Sequence, residues 1–192
     1  MLEDPVGTYH FNYGDYLQWT GDERWELIDG EPLCMSPAPS RVHQALVLEL
    51  GSQILAYLRG KQCRVYVAPF DVRLPRGDEP DKEVATVVQP DVAVICDPAK
   101  LDDAGCRGAP DWVIEVISPS TGVRDQVQKR DLYEGRGVLE YWTIDPIGRL
   151  LTIYRRQSEG GFGPPETLPA RGGQDVSLFP GLRIDLDPPF EL

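Results

Sequence analysis

Histidine is scarce in this chain: His10 and His43 are the only two among 192 residues. A Ser-His-Asp triad could be built on no other imidazole, and the G-x-S-x-G nucleophile elbow is missing as well. Cysteine is limited to Cys34, Cys63, Cys96 and Cys106, with no C-x-x-C pair, which excludes a structural zinc site and a dense disulfide scaffold. The expectation is four reduced thiols, mostly in the core, of a cytoplasmic protein. Phosphate-loop and dinucleotide fingerprints are absent. No window approaches the roughly 18 apolar residues of a membrane span, and Met1–Pro5 lacks the basic start of a secretory leader. Neither a membrane partner nor export is expected. Basic residues are also in deficit, 19 against 31 acidic ones, for a net charge of −12. Such a chain cannot hold nucleic acid by bulk attraction. Phosphate chemistry here would need a local cation.

Apolar residues form 41% of the chain and charged ones 26%, enough for one core and too ordered a balance for a disordered protein. The length suits a single domain over residues 1–192. Tyr13–Thr20 reads as a short helix. Trp25–Ile28, Asp29-Gly30 and Pro32–Met35 read as a hairpin, since Asp-Gly is a strong tight-turn signal. From Arg41 to Leu58, Leu46, Leu50, Ile54 and Leu58 recur every four residues, with Ser40 as the cap, so a long amphipathic helix is expected. Strands follow at Cys63–Ala68, Phe70–Leu74, Val87–Cys96 and Asp111–Ile117, with a loop over 97–110. Val123–Arg136 reads as a second helix, Glu140–Asp145 and Arg149–Arg155 as strands, and Val176–Phe179 and Leu182–Leu186 as short apolar pieces. The class is α/β or α+β with a mixed central sheet flanked by helices, an extra N-terminal hairpin and C-terminal strands.

Two carboxylates interrupt apolar strands. Asp91 shares a strand face with Ala93 and Ile95, and Glu115 one with Val113 and Ile117. A buried carboxylate without a partner costs several kcal/mol or neutralises. Either both acids lie at strand ends facing water, or neighbouring strands bring them onto one hard cation, for which magnesium is the natural choice. Past Glu115, Asp125, Lys129 and Tyr133 stand four apart on one helix face. That is either an exposed Asp125–Lys129 pair or a lysine folded back over the Glu115 strand to steady charge on a phosphate. Ser120 and Thr121 either cap this helix or offer its N-terminus to an anion.

These stretches resemble the PD-(D/E)xK nuclease superfamily and, within it, the bacterial Uma-type family of restriction-endonuclease-like proteins. The likeness rests on Trp25–Glu31, Ser36–Pro39 with His43, Gln89-Pro90-Asp91-Val92, Pro110–Thr121, then Asp125, Lys129, Tyr133, Glu140-Tyr141-Trp142 and Asp145-Pro146. Phe179-Pro180-Gly181-Leu182 in the tail matches too. The resemblance implies a restriction-endonuclease-like core of helix, three strands, helix and strand over residues 24–146, with 147–192 as peripheral strands and loops. It makes Asp91, Glu115 and the carbonyl of Val116 ligands of Mg²⁺, with Mn²⁺ as a substitute. The superfamily's lysine normally stands two residues after the acid, where this chain has Ile117, so its role passes to Lys129. Glu26 matches an acidic family position and either approaches the metal or is an exposed hairpin carboxylate. His43 either contacts substrate or is structural, Ser120 is a substrate-side candidate, and Tyr133 either positions Lys129 or packs on the sheet.

The implied activity is a Mg²⁺-dependent endonuclease acting on DNA, leaving 5′-phosphate and 3′-hydroxyl ends; the small size and the Pro/Gly-rich tail leave room for a homodimer, which cutting both strands would favour. Arg124, Lys129, Arg130 and Arg136 would supply the local positive patch. The alternatives are a catalytically inactive nucleic-acid-binding or interaction module of the same fold, and a metal enzyme acting on a small phosphoester.

Overall fold

The structure is a computed structural model describing residues 10–35, 39–118 and 122–190. Asn12 caps the four-residue helix α1 (Tyr13–Tyr16) through a reciprocal capping box with Asp15. Strands β1 (Trp25–Ile28) and β2 (Glu31–Cys34) pair antiparallel across Asp29-Gly30. Both turn residues have positive φ, 50° and 86°, as a two-residue hairpin of this hand requires. A side chain on Gly30 would also run into His10, whose Cβ lies 2.8 Å from where a Cβ would stand.

Helix α2 (Arg41–Leu58) begins where Ser40 accepts a hydrogen bond from the His43 N–H, and it buries Leu46, Val47, Leu50, Ile54 and Leu58. After it come β3 (Arg64–Val67), β4 (Val72–Arg73), β5 (Val87–Val88), β6 (Val92–Ile95), β7 (Leu101–Asp102), β8 (Gly105–Arg107) and β9 (Trp112–Val116). Helix α3 (Gly122–Arg136), β10 (Glu140–Asp145), β11 (Leu150–Arg155), β12 (Glu166–Pro169), β13 (Gly173–Asp175) and β14 (Arg183–Asp185) complete the order.

Two six-stranded sheets result, β12-β11-β10-β9-β6-β3 and β2-β1-β5-β4-β8-β7, with β13 and β14 as a separate pair. In the first sheet β9 and β10 run parallel and the other neighbours antiparallel. The order α2, β3, β6, β9, α3, β10 is the expected helix, three strands, helix, strand. Alternation divides the β6 and β9 side chains between two cores. Val92, Val94, Trp112 and Ile114 pack with α2 and the C-terminal segment, and Ala93, Ile95 and Val113 pack with Leu132 and Tyr133 of α3. Burial on both faces explains the nearly continuous apolar run of β9.

Several expectations need correction. Val87–Cys96 is not one strand: β5 and β6 belong to different sheets. Pro90 stands between them, with no N–H for a ladder and a fixed φ, so the chain leaves one sheet and enters the other there. The segment 97–110 holds β7 and β8 rather than loop alone. In the tail, β13 lies upstream of Val176–Phe179, while Val176, Phe179 and Leu182 form a hydrogen-bonded turn buried against α2. The cysteines are not all thiols. Cys63 and Cys96 are joined by a disulfide, because the β3–β6 register pairs Arg64 with Ile95 and sets the two cysteines opposite each other one step further on. Cys34 and Cys106 are free, and Cys106 is buried. Among the described residues no helix is long and apolar enough to cross a membrane.

Candidate active site

The β6–β9 ladder pairs Val92 with Ile114. One step further along the same register Asp91 stands opposite Glu115, on the sheet face that α3 covers. Asp91 lies just before the start of β6, and its carboxylate does what a ladder carbonyl would have done: Oδ2 accepts a hydrogen bond from the Val116 N–H at 2.8 Å. Its own carbonyl accepts from the Ala68 N–H at 3.1 Å. His43, in the first turn of α2, places Nε2 3.2 Å from Asp91 Oδ2, and the Val116 backbone lies against the same imidazole.

Three elements meet around Glu115. From α3, Lys129 Nζ donates to Glu115 Oε1 at 3.0 Å and to Glu26 Oε1 at 3.0 Å. One helical turn later the Tyr133 hydroxyl donates to Glu115 Oε1 at 2.8 Å. Glu26 arrives from β1 of the other sheet, 5% exposed, and accepts a further hydrogen bond from the Gln89 N–H at 2.8 Å. Lys129 therefore ties the two sheets together through their carboxylates.

The electrostatics follow from that crowding. Burial pushes the Glu115 carboxyl up to about 7; the Lys129 charge and the Tyr133 hydrogen bond oppose this, and the neighbouring Asp91 and Glu26 charges reinforce it. Lys129 titrates well above its ordinary range: burial works against its charge, and the Glu115 and Glu26 carboxylates override it. His43 is raised too, since the Asp91 hydrogen bond and charge outweigh the burial that opposes protonation. Burial and the same carboxylates keep the Tyr133 hydroxyl protonated, consistent with its donor role. Lys129 is thus held between Glu115 and Glu26 while Asp91 pairs with His43, so three carboxylates face two cationic groups and the surplus is negative.

The donor chemistry fits Mg²⁺ or Mn²⁺. Two hard carboxylates stand across one strand pair beside the Val116 peptide, and negative charge is in excess where a divalent cation would relieve it. Among the described residues no three His, Cys, Asp or Glu side chains converge as a ready-made cage. Two carboxylates with a backbone carbonyl match the way magnesium binds while keeping part of its water shell.

Of the residues singled out from sequence, the structure brings together Glu26, His43, Asp91, Glu115, Val116, Lys129 and Tyr133. Ser120 lies outside the described residues. Glu26 is a buried partner of Lys129 rather than an exposed hairpin acid. Tyr133 is both fully buried and bonded to Glu115, not to Lys129. Of the residues expected to form a basic patch, Arg130 pairs with Asp131 and Arg136 with Asp29, Lys129 lies in the cluster, and the Arg124 side chain lies outside the described residues. A cavity of about 360 Å³ near Arg59, Lys61 and Arg64 shares no residue with the cluster. Sequence reading assigned no role to Gln89, Arg24, Tyr16 or Asp71, which form a polar cluster directly behind Glu26 and Asp91. A glutamine set in an apolar run was the only signal available for it.

Comparison with known proteins agrees with this architecture. The chain matches the Uma2 family model, described as putative restriction endonuclease, over residues 13–187. It belongs to that family. The uncharacterized protein slr1290 of Synechocystis sp. is 26% identical over 149 residues, covering 76% of this chain and 74% of the relative. A crystal structure of a putative nuclease of the DUF820 family from Anabaena variabilis ATCC 29413 superposes with a TM-score of 0.73, covering 94% of this chain and 98% of that one. Its sequence identity is 19%, so this likeness speaks for the fold.

Proposed function

We propose that this protein is a Mg²⁺-dependent endonuclease that hydrolyses phosphodiester bonds in DNA, with Mn²⁺ able to substitute. The observation that carries the reading is the Lys129 ammonium, 3.0 Å from both Glu115 and Glu26, on a sheet face where Asp91 stands opposite Glu115 in the strand register. Asp91, Glu115 and the Val116 carbonyl would hold the metal, which supplies positive charge against the scissile phosphate and acidifies water at neutral pH. Lys129 orients the attacking water and stabilises charge building on the phosphate, in a site that burial keeps poor in solvent. Tyr133 fixes the Glu115 carboxylate, and His43 fixes Asp91. A homodimer would place two such sites for cutting both strands.

The test is plasmid and oligonucleotide cleavage in Mg²⁺ or Mn²⁺, comparing wild type with Glu115→Gln and Lys129→Met. The expected result is cleavage by wild type, dependent on metal, and loss in both variants. Binding that is never followed by cleavage, and is indifferent to both changes, would overturn the reading in favour of an inactive module. Turnover of a small phosphoester alone would replace the substrate.

A further inference from the structure

Behind the candidate site one neutral side chain makes every hydrogen bond its amide can offer. Gln89, 7% exposed, accepts at Oε1 from both Nε and Nη2 of Arg24, the first at 3.0 Å. Its Nε2 donates to the Tyr16 hydroxyl at 3.1 Å and to Asp71 Oδ1 at 2.9 Å. Two acceptor and two donor positions are filled, the full capacity of a primary amide. Arg24 can only donate and a carboxylate only accept, so a single orientation of the amide satisfies the set. The Tyr16 hydroxyl closes the ring by donating to Asp71 Oδ1 at 3.2 Å.

The main chain of the same residue faces the other way, into the site. Its N–H donates to Glu26 Oε1, the oxygen that also receives Lys129. Pro90, with its fixed φ and no donor, separates Gln89 from Asp91. A displacement of Gln89 would therefore move Glu26 and Asp91 together.

We infer that Gln89 is a positioning residue: clamped by Arg24, Tyr16 and Asp71, it sets the placement of Asp91 and Glu26. The effect on turnover rests on the nuclease reading above. The placement itself does not.

Exchange of donor and acceptor tests this. Gln89→Glu keeps the shape but sets a carboxylate against Asp71. The double variant Gln89→Glu/Asp71→Asn reverses the hydrogen bond and restores the net charge. Arg24→Met removes two bonds to Gln89 from an exposed side chain and guards against a variant that fails to fold. Three readouts apply: Mn²⁺ affinity by calorimetry, kcat and KM for DNA cleavage, and the NMR resonances of His43, with His10 as the internal reference.

Gln89→Glu is expected to weaken Mn²⁺ binding about 10- to 100-fold, the usual range for groups that orient metal ligands. It should also lower kcat with little change in KM and displace the His43 resonances. Arg24→Met should act in the same direction, and the double variant should restore all three. The inference is overturned if His43 and Mn²⁺ affinity stay at wild-type values while only the melting temperature falls, or if the exchange restores nothing. If wild type neither binds Mn²⁺ nor cuts DNA, the nuclease reading fails. The His43 resonances then decide the positioning role alone.

Discussion

Two ionic clusters in this protein each gather carboxylates around a buried cation and behave in opposite ways. In the first, Arg73 of β4, 1% exposed, forks onto both oxygens of Asp102 at 2.6 and 2.7 Å and onto Asp81 at 2.6 Å. Its guanidinium also lies 5.2 Å from the Tyr13 ring, and Arg107 adds a second cation 3.4 Å from Asp81. Charges there balance, and the Arg73 hydrogen bonds hold the Asp102 carboxyl below its usual range. In the second, Glu26 and Glu115 close on Lys129 while Asp91 pairs with His43, and Glu115 is driven up to about 7 by burial with its acidic neighbours. A balanced cluster stabilises its charges and acts as a fastening between segments. An unbalanced one is strained electrostatically, and the strain is relieved by whatever cation binds.

Substitutions can separate these roles. The largest expected effect is on chemistry: Lys129→Met should lower DNA cleavage about 10²- to 10³-fold, the cost of removing one preorganised charge from a transition state. Arg73→Met should leave cleavage per folded molecule unchanged. Its effect falls on stability, about 3 kcal/mol by urea denaturation, the low end for breaking a buried ion pair because both carboxylates keep some contact with water. An equal loss of activity in both variants would erase the distinction.

Acid–base behaviour sharpens the contrast by sign, measured in EDTA so that no metal intervenes. The folded-state pKa of Asp102 is depressed, so the unfolded chain takes up that proton first. Stability from this group is present above its unfolded pKa and is lost as pH falls through the folded value. The folded-state pKa of Glu115 is raised from 4.5 to about 7, so between those values the native state holds more proton, and stability falls as pH rises. Asp102→Asn should therefore flatten the acid limb of the stability–pH curve, and Glu115→Gln should flatten the decline toward neutrality. Chemical denaturation across pH would show both. The smallest effect is at the α2 cap, where Ser40→Ala should cost about 1 kcal/mol of stability. A larger loss of cleavage than of folded protein would mean that the cap also places His43.

Local pattern made much of this legible. The α2 periodicity, the Asp29-Gly30 hairpin turn and the apolar runs are short-range signals, and each element stands where those signals point. Asp91 and Glu115 announced themselves as charges that an apolar strand should not carry. Lys129 and Tyr133 were linked by the four-residue helical spacing alone. The partnership of Glu26 with Lys129 was hidden, because it joins strands of two sheets across 103 positions. The Gln89 cluster was hidden for the same reason: glutamine has no diagnostic spacing, and its partners Tyr16, Arg24 and Asp71 are scattered along the chain.

By itself the sequence determined the two main helices, the hairpin and the longer apolar strands, and which side chains would be costly to bury, since these depend on neighbours within a turn or a strand. Only the tertiary structure decided the separation of β5 from β6 into two sheets, the pairing of Cys63 with Cys96, and the meeting of Glu26 and Glu115 over one ammonium. Those outcomes depend on strand register and on the docking of α3 against β9. Register and docking are set by the summed packing of the whole core, which no local window contains.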